Sequence, residues 1–181
     1  MTHTLDGMKV AILATDGVEQ VELLKPRQAL DDAGAETTVV SIKGGDIQGF
    51  NHHDPGDKIP VDVEVGNAGA MEFDALLLPG GVMNPDQLRA DPKAVAFVKS
   101  FTEAEKPIAV ICHGPWTLIE ADAVRGRRMT SWPSLQTDLR NAGAEWVDEP
   151  NVTDGNLTSS RKPDDIPQFN AAMIDLFAKG R

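Results

Sequence analysis

The chain has a single cysteine, Cys112. It follows the apolar run Ile108–Ile111 and precedes His113-Gly114-Pro115. An unbroken apolar run of this length reads as a strand buried on both faces of a sheet. Gly114 permits a tight turn, and Pro115 suits the first position of a helix. A side chain on such a strand-to-helix turn is presented as a nucleophile. The N-terminal N–H groups of the following helix are expected to favour its thiolate. A free cysteine is more often a small buried hydrophobe. Here the position on the turn decides for a reactive thiol.

Three further groups of residues fall where they could serve that thiol. Gly80-Gly81 ends a second buried run, Phe73–Leu78. If the two strands are neighbours, the Gly81 and His113 N–H groups form an oxyanion hole of backbone donors beside Cys112. Glu22 shares one side of the first helix with Val18 and Val21, at i, i+3 and i+4 spacing. It is expected to face inward, where a buried carboxyl is held protonated and can hydrogen-bond the sulfur. Glu19 reads as a solvated or helix-dipole charge. His113 adjoins Cys112, but neighbours on a turn need not converge, so its role as a base stays open.

Other chemistries find little support. None of the four histidines, His3, His52, His53 and His113, lies beyond position 113. This sets aside a papain-like or class I glutamine amidotransferase triad, which needs a downstream histidine. His52-His53-Asp54 is a poor metal site, because adjacent loop residues rarely chelate together. No G-x-G-x-x-G, no GK[ST] phosphate loop and no paired cysteine motif occurs, so neither a cofactor nor a metal is expected.

The elements that must position these residues alternate between strand and helix. Met8–Ala14, Thr37–Ile42, Phe73–Leu78 and Ile108–Ile111 read as strands, with a half-exposed strand at Ile59–Val65. Helices are expected over Glu19–Ala33, from Asp91-Pro92 to Glu105, from Gly114-Pro115 to Ala123, and over Asp164–Ala178. Pro26 must sit in the first turns of its helix or kink it, and Asp164 or Asp165 should cap the last helix. Gly44 to Pro60 reads as loop. A short strand near Met129–Trp132, a helix near Ser134–Ala142, a strand at Glu145–Val147 and a hairpin around Asp154-Gly155-Asn156 complete the chain. This order predicts an α/β doubly wound, mostly parallel sheet with helices on both faces. Ligands bind such sheets at the carboxyl ends of the strands, where Thr15-Asp16-Gly17, Gly80-Gly81 and Cys112 all fall.

A chain of 181 residues with 41% hydrophobic content suits one domain, residues 1–181, with 1–7 as a flexible tail. Its formal net charge is −11. Arg125, Arg127 and Arg128 are the nearest thing to a basic cluster, which argues against nucleic-acid and anionic membrane partners. No apolar run is long enough to span a bilayer, and Met1–Gly7 is not a signal peptide. One cysteine fits a reducing cytoplasm.

The motifs together resemble the ThiJ/PfpI superfamily, in its branch of PfpI-type intracellular proteases and general stress proteins. They are Val18–Leu23, Ala75–Gly81, Ala109–Pro115, Asn141–Trp146 and Thr158–Pro163. The resemblance implies a flavodoxin-like fold, Cys112 as nucleophile, Glu22 hydrogen-bonded to it, and His113 beside it. It implies homodimers or larger homo-oligomers. It also implies stress-linked activities: peptidase, cofactor-free glyoxalase, or repair of glycated proteins and nucleotides. The acidic residue that supports the histidine in PfpI-type proteases aligns with Pro92, leaving only Asp91 as a substitute. Weight therefore shifts to an enzyme acting on a small-molecule carbonyl or glycated substrate through Cys112 and Glu22. The alternatives are a cysteine peptidase or amidase acting on peptides, and an oxidation-sensing stress protein or chaperone.

Overall fold

The computed structural model describes residues 4–181; His3 and the start of the expected tail lie outside the described residues. The rest of that tail is anchored. Leu5 is buried and donates its N–H to the Ala33 carbonyl, and Arg181 binds the Thr4 and Asp6 carbonyls.

The chain begins with β1 (Lys9–Leu13), a two-residue β2 (Val18–Glu19) and α1 (Gln20–Asp32). β3 (Glu36–Ser41), β4 (Asp46–Asn51), β5 (Asp54–Pro60) and β6 (Val63–Glu64) follow. β7 (Ala75–Leu78) leads into α2 (Met83–Ala90) and α3 (Pro92–Glu103). β8 (Ile108–Ile111) leads into α4 (Pro115–Glu120). β9 (Arg128–Met129), α5 (Gln136–Asn141), β10 (Glu145–Trp146), β11 (Asn151–Asp154), β12 (Leu157–Ser160) and α6 (Ile166–Lys179) complete it.

Seven strands form the central sheet in the order β11-β12-β8-β7-β1-β3-β6, parallel except for β11. The expected doubly wound, flavodoxin-like α/β architecture is therefore present. Its strands bury alternate residues on opposite faces, as the pleat requires. Ala11, Leu13, Leu76, Leu78 and Val110 pack beneath Phe97, Phe101, Leu118 and Leu139 of α3, α4 and α5. Val10, Ile12, Leu77, Ala109 and Ile111 pack beneath Leu23 and Leu30 of α1 and Phe169, Met173 and Phe177 of α6. Each fully buried Phe or Leu contributes about 2 kcal/mol by removal from water. Cys112 belongs to the second of these layers.

Several expectations are corrected. The segment read as loop, Gly44 to Pro60, holds the β4–β5 hairpin, closed by His52-His53 with His52 at φ +59°. Its polar residues hide it, because only Ile47 and Gly49 of β4 are buried. The strand expected at Ile59–Val65 is divided between the end of β5 and the two-residue β6. The sequence gives no signal for α2. Pro85 suggests a turn, yet it lies in the first helical turn, where a missing N–H is tolerated. Pro26 lies in the middle of α1, past its first turn. α4 ends at Glu120, short of Ala123. Asp165 precedes α6 without capping it; its carboxylate binds the Arg161 guanidinium at 2.9 and 3.1 Å instead.

Candidate active site

β1 connects outward to β3, and β7 connects outward to β8 on the other side. The chain thus diverges between β1 and β7, which opens a crevice at their carboxyl ends. Buried Asn84, on α2, holds that crevice in shape. Its Oδ1 accepts the Thr15 N–H at 2.8 Å, and its Nδ2 donates to the Pro79 and Gly80 carbonyls at 3.1 and 3.0 Å. One side chain thereby ties the loops after β1 and β7. Nothing in the sequence singled out Asn84; only the fold places an Asn-Pro pair under both loops.

Cys112 sits at φ +64°, the left-handed region that an L-residue adopts at a cost. The surrounding backbone fixes it there. Its N–H donates to the Ser160 carbonyl at 3.0 Å, and its carbonyl accepts the Trp132 N–H at 2.9 Å. The backbone N–H groups of Gly81 and His113 lie beside the sulfur and favour its ionised form. Gly81 stands at φ +80°, and a Cβ on it would lie 2.4 Å from the Gly17 carbonyl oxygen, so only glycine fits there. These are the two donors the sequence suggested for an oxyanion hole, and both converge on the sulfur.

Glu22 is fully buried beside the thiol. Oε1 accepts the Gly80 N–H at 3.1 Å. The carboxyl interacts with the Cys112 side chain, yet Oε2 has no partner of hydrogen-bond geometry. The two observations agree if the contact is close but poorly aligned, as catalytic contacts often are before substrate binds. Burial, and then the charge of Glu19, push the Glu22 carboxyl up to about 8. It therefore holds its proton at neutral pH.

The thiol departs from the expectation of a depressed pKa. Burial, followed by the Glu22 charge, pushes it above the ordinary cysteine value, and the two N–H donors only partly oppose this. Helix α4 is six residues long, so its dipole is weaker than the longer helix expected. Thiol and carboxyl form a coupled pair: ionising one disfavours ionising the other. The carboxyl ionises before the thiol, so Cys112 becomes a nucleophile only as its proton is passed on during attack.

His113 converges on the thiol after all, with Nδ1 3.1 Å from Sγ. Its ring stacks on Trp132 at 5.7 Å and meets the edge of Trp116 at 5.2 Å. Burial lowers its pKa to about 4, so it is neutral at physiological pH. Asp91 is engaged elsewhere. It caps α3, accepting the Lys93 and Ala94 N–H groups at 2.9 and 3.0 Å.

Cys112, His113, Glu22 and Gly81 line one cavity of about 780 Å³. Its rim carries exposed apolar side chains: Val82, Met83 and Trp132 are 55%, 48% and 37% exposed. The β4–β5 hairpin adds Phe50, His52 and His53 to the wall. Among the described residues, no group of three His, Cys, Asp or Glu side chains is arranged to hold a metal, and no helix is long and apolar enough to cross a membrane.

A flavodoxin-like sheet with a lone cysteine on the turn after a central strand, and a buried glutamate facing it, defines a class. The chain belongs to the DJ-1/PfpI family, whose model matches residues 8–176. It is 42% identical to general stress protein 18 of Bacillus subtilis over 96% of this chain and 99% of that protein. It is 44% identical to deglycase TK1284 of Thermococcus kodakarensis over 93% and 99%. It is 39% identical to the putative cysteine protease YraA of Bacillus subtilis over 93% and 97%. The crystal structure of a ThiJ/PfpI domain protein from Brachyspira murdochii superimposes with a TM-score of 0.87 at 21% identity, covering 96% of this chain and 98% of that one.

Proposed function

We propose that this protein is a cysteine-dependent enzyme acting on reactive carbonyls or on the adducts they form. The observation that carries the reading is a buried Glu22 that holds a proton at neutral pH beside the Cys112 thiol. Such a pair can add a thiol across a carbonyl without a separate acid. With methylglyoxal, sulfur bonds to the aldehyde carbon, the C=O π bond opens, and the oxygen takes up a proton relayed through Glu22. Neutral His113 then takes the hydrogen of that carbon as a proton and returns it to the neighbouring carbon through an enediol, with Glu22 shuttling the proton between the two oxygens. The hemithioacetal thus becomes a thioester. Water cleaves the thioester, releases the hydroxy acid and restores the thiol. The Gly81 and His113 N–H groups are placed to steady the oxyanion. The name of the relative from Thermococcus kodakarensis, a deglycase, points the same way.

Cysteine peptidase chemistry is the second reading, favoured by the 3.1 Å Cys112–His113 contact and by the name of YraA. It ranks lower on physical grounds. A thiolate–imidazolium pair needs a histidine that accepts a proton near neutrality, and burial keeps His113 neutral. Asp91 caps α3 rather than orienting an imidazole. Assembly as a cytoplasmic homodimer or larger homo-oligomer belongs to the same proposal, supported by the family and by the lone cysteine.

The test is an assay of wild type and Cys112→Ala on methylglyoxal, a glycated amino acid and an activated peptide ester. Loss of carbonyl turnover in the variant, with no acyl-enzyme on Cys112 from the ester, is expected. Unchanged carbonyl turnover in Cys112→Ala overturns the proposal.

A further inference from the structure

Glu19 lines the same cavity as Cys112, and its side chain is 12% exposed. Both of its oxygens accept one donor, the His52 N–H, at 3.2 Å each. The His52 ring lies 3.7 Å away but is 79% exposed, so it swings clear without breaking that backbone contact. Among the described residues, no lysine or arginine lines the cavity. Its other carboxyl, Glu22, sits fully buried at the floor and holds its proton, so it sets no second full negative charge against a ligand. Phe50, Trp132 and His113 add aromatic surface to the cavity wall. A carboxylate and aromatic faces around one space, with no lining cation opposite them, form a receptor for a cation.

We infer that Glu19 is a specificity-determining residue that selects ligands carrying a positive charge, so that the cavity favours carbonyl adducts of ammonium or guanidinium compounds over neutral or anionic ones. The substrate class rests on the carbonyl reading above; the charge preference of the cavity does not. The N–H of His52 holds the carboxylate in place while leaving its outer lone pairs free to meet an N–H donor. A phosphorylated or carboxylated adduct of the same size meets that carboxylate with no lining cation to offset it, which costs more in a cavity than in water.

The sole thiol provides a readout independent of turnover. The rates of Cys112 modification by 2-aminoethyl, 2-sulfonatoethyl and methyl methanethiosulfonate are compared in the whole protein. The ratio of cationic to anionic rate cancels the intrinsic reactivity of the sulfur, including any change Glu19 imposes through Glu22. Wild type should favour the cation by about tenfold beyond the ratio for a small free thiol. Glu19→Gln should remove most of that preference. Glu103→Gln makes the same change in net charge at the far end of α3, near the amino ends of the strands, and should leave it in place. An unaltered ratio in Glu19→Gln, or an equal fall in Glu103→Gln, overturns the inference. So does a Cys112 inert even to the neutral reagent, since the cavity then admits no ligand to the sulfur. A second arm compares kcat/KM for methylglyoxal adducts of agmatine and of a neutral alkylamine. Failure of both to turn over, with the charge ratio as expected, refutes the carbonyl reading and leaves the cation site standing.

Discussion

A Cβ on Gly80 would lie 2.6 Å from the Cβ of Cys112 and 2.6 Å from Oε1 of Glu22. The thiol and the carboxyl therefore meet across a gap that only a residue without a side chain can line. Gly80→Ala is expected to push Glu22 off the thiol and to cost about 1–3 kcal/mol through overpacking. Urea denaturation against turnover checks this: activity should fall by far more than the loss of folded protein explains.

Glu22 makes stability depend on pH in a defined direction. The carboxyl titrates at about 8 in the fold against 4.5 in an exposed chain. The folded state thus binds the extra proton between those values. Its contribution is fully present below about 4.5 and is lost as pH rises towards 8. His113 works oppositely, at about 4 in the fold against 6.5. Its contribution is present above 6.5 and is lost as pH falls towards 4. Between pH 6.5 and 8 only Glu22 acts, and stability should fall by roughly 1 kcal/mol per pH unit. Tm measured at three pH values in this window should decline in wild type and stay level in Glu22→Gln.

The same substitution separates the roles of the pair. Glu22→Gln keeps the shape of the carboxyl and an acceptor for the Gly80 N–H, but it cannot relay a proton. The expected result is a loss of about 10²–10⁴ in carbonyl turnover, with Cys112 still open to alkylation. Retention of wild-type kcat would show that the proton travels by another route.

Because burial keeps His113 neutral, the acid limb of kcat/KM should lie near pH 4–5 and not near the ordinary histidine value. Trp132→Ala opens one face of the ring. It should move that limb upward by returning the imidazole to water. A pH–rate profile of the two proteins reads the shift directly.

Asn84→Ala removes the link between two strand-end loops and leaves the buried Thr15 N–H without an acceptor. A cost of about 1–3 kcal/mol is expected. Hydrogen exchange should locate the loosening at Thr15 and Gly80, while the amides of β7 stay protected.

Much of this site is legible in the sequence because it rests on local rules. Cys112 is marked by an apolar run followed by Gly-Pro; Glu22 does face inward, although Val18, used to place it by helical spacing, lies in β2 ahead of α1. The hairpin over β4 and β5 is less legible. Its apolar residues are few, and its turn is His52-His53, where glycine or asparagine is usual. The ionisation of Cys112 is read wrongly from sequence for a further reason. A turn and a helix start are local, whereas burial and the facing carboxyl are products of tertiary packing. The Asp165–Arg161 pair shows the same limit: an N-cap position is visible in sequence, but a competing guanidinium is not.

The backbone at Cys112, with φ +64°, has a consequence for folding free energy. Glycine would take up that conformation with about 1–2 kcal/mol less strain. That strain is offset by what the side chain contributes: Cys112 is buried in the α1–α6 layer, and glycine would widen the unfolded ensemble. A Cys112→Gly protein should therefore melt close to wild type while losing all chemistry at the turn. The left-handed backbone is held by packing around the sulfur, so the fold carries a reactive residue there at little net cost.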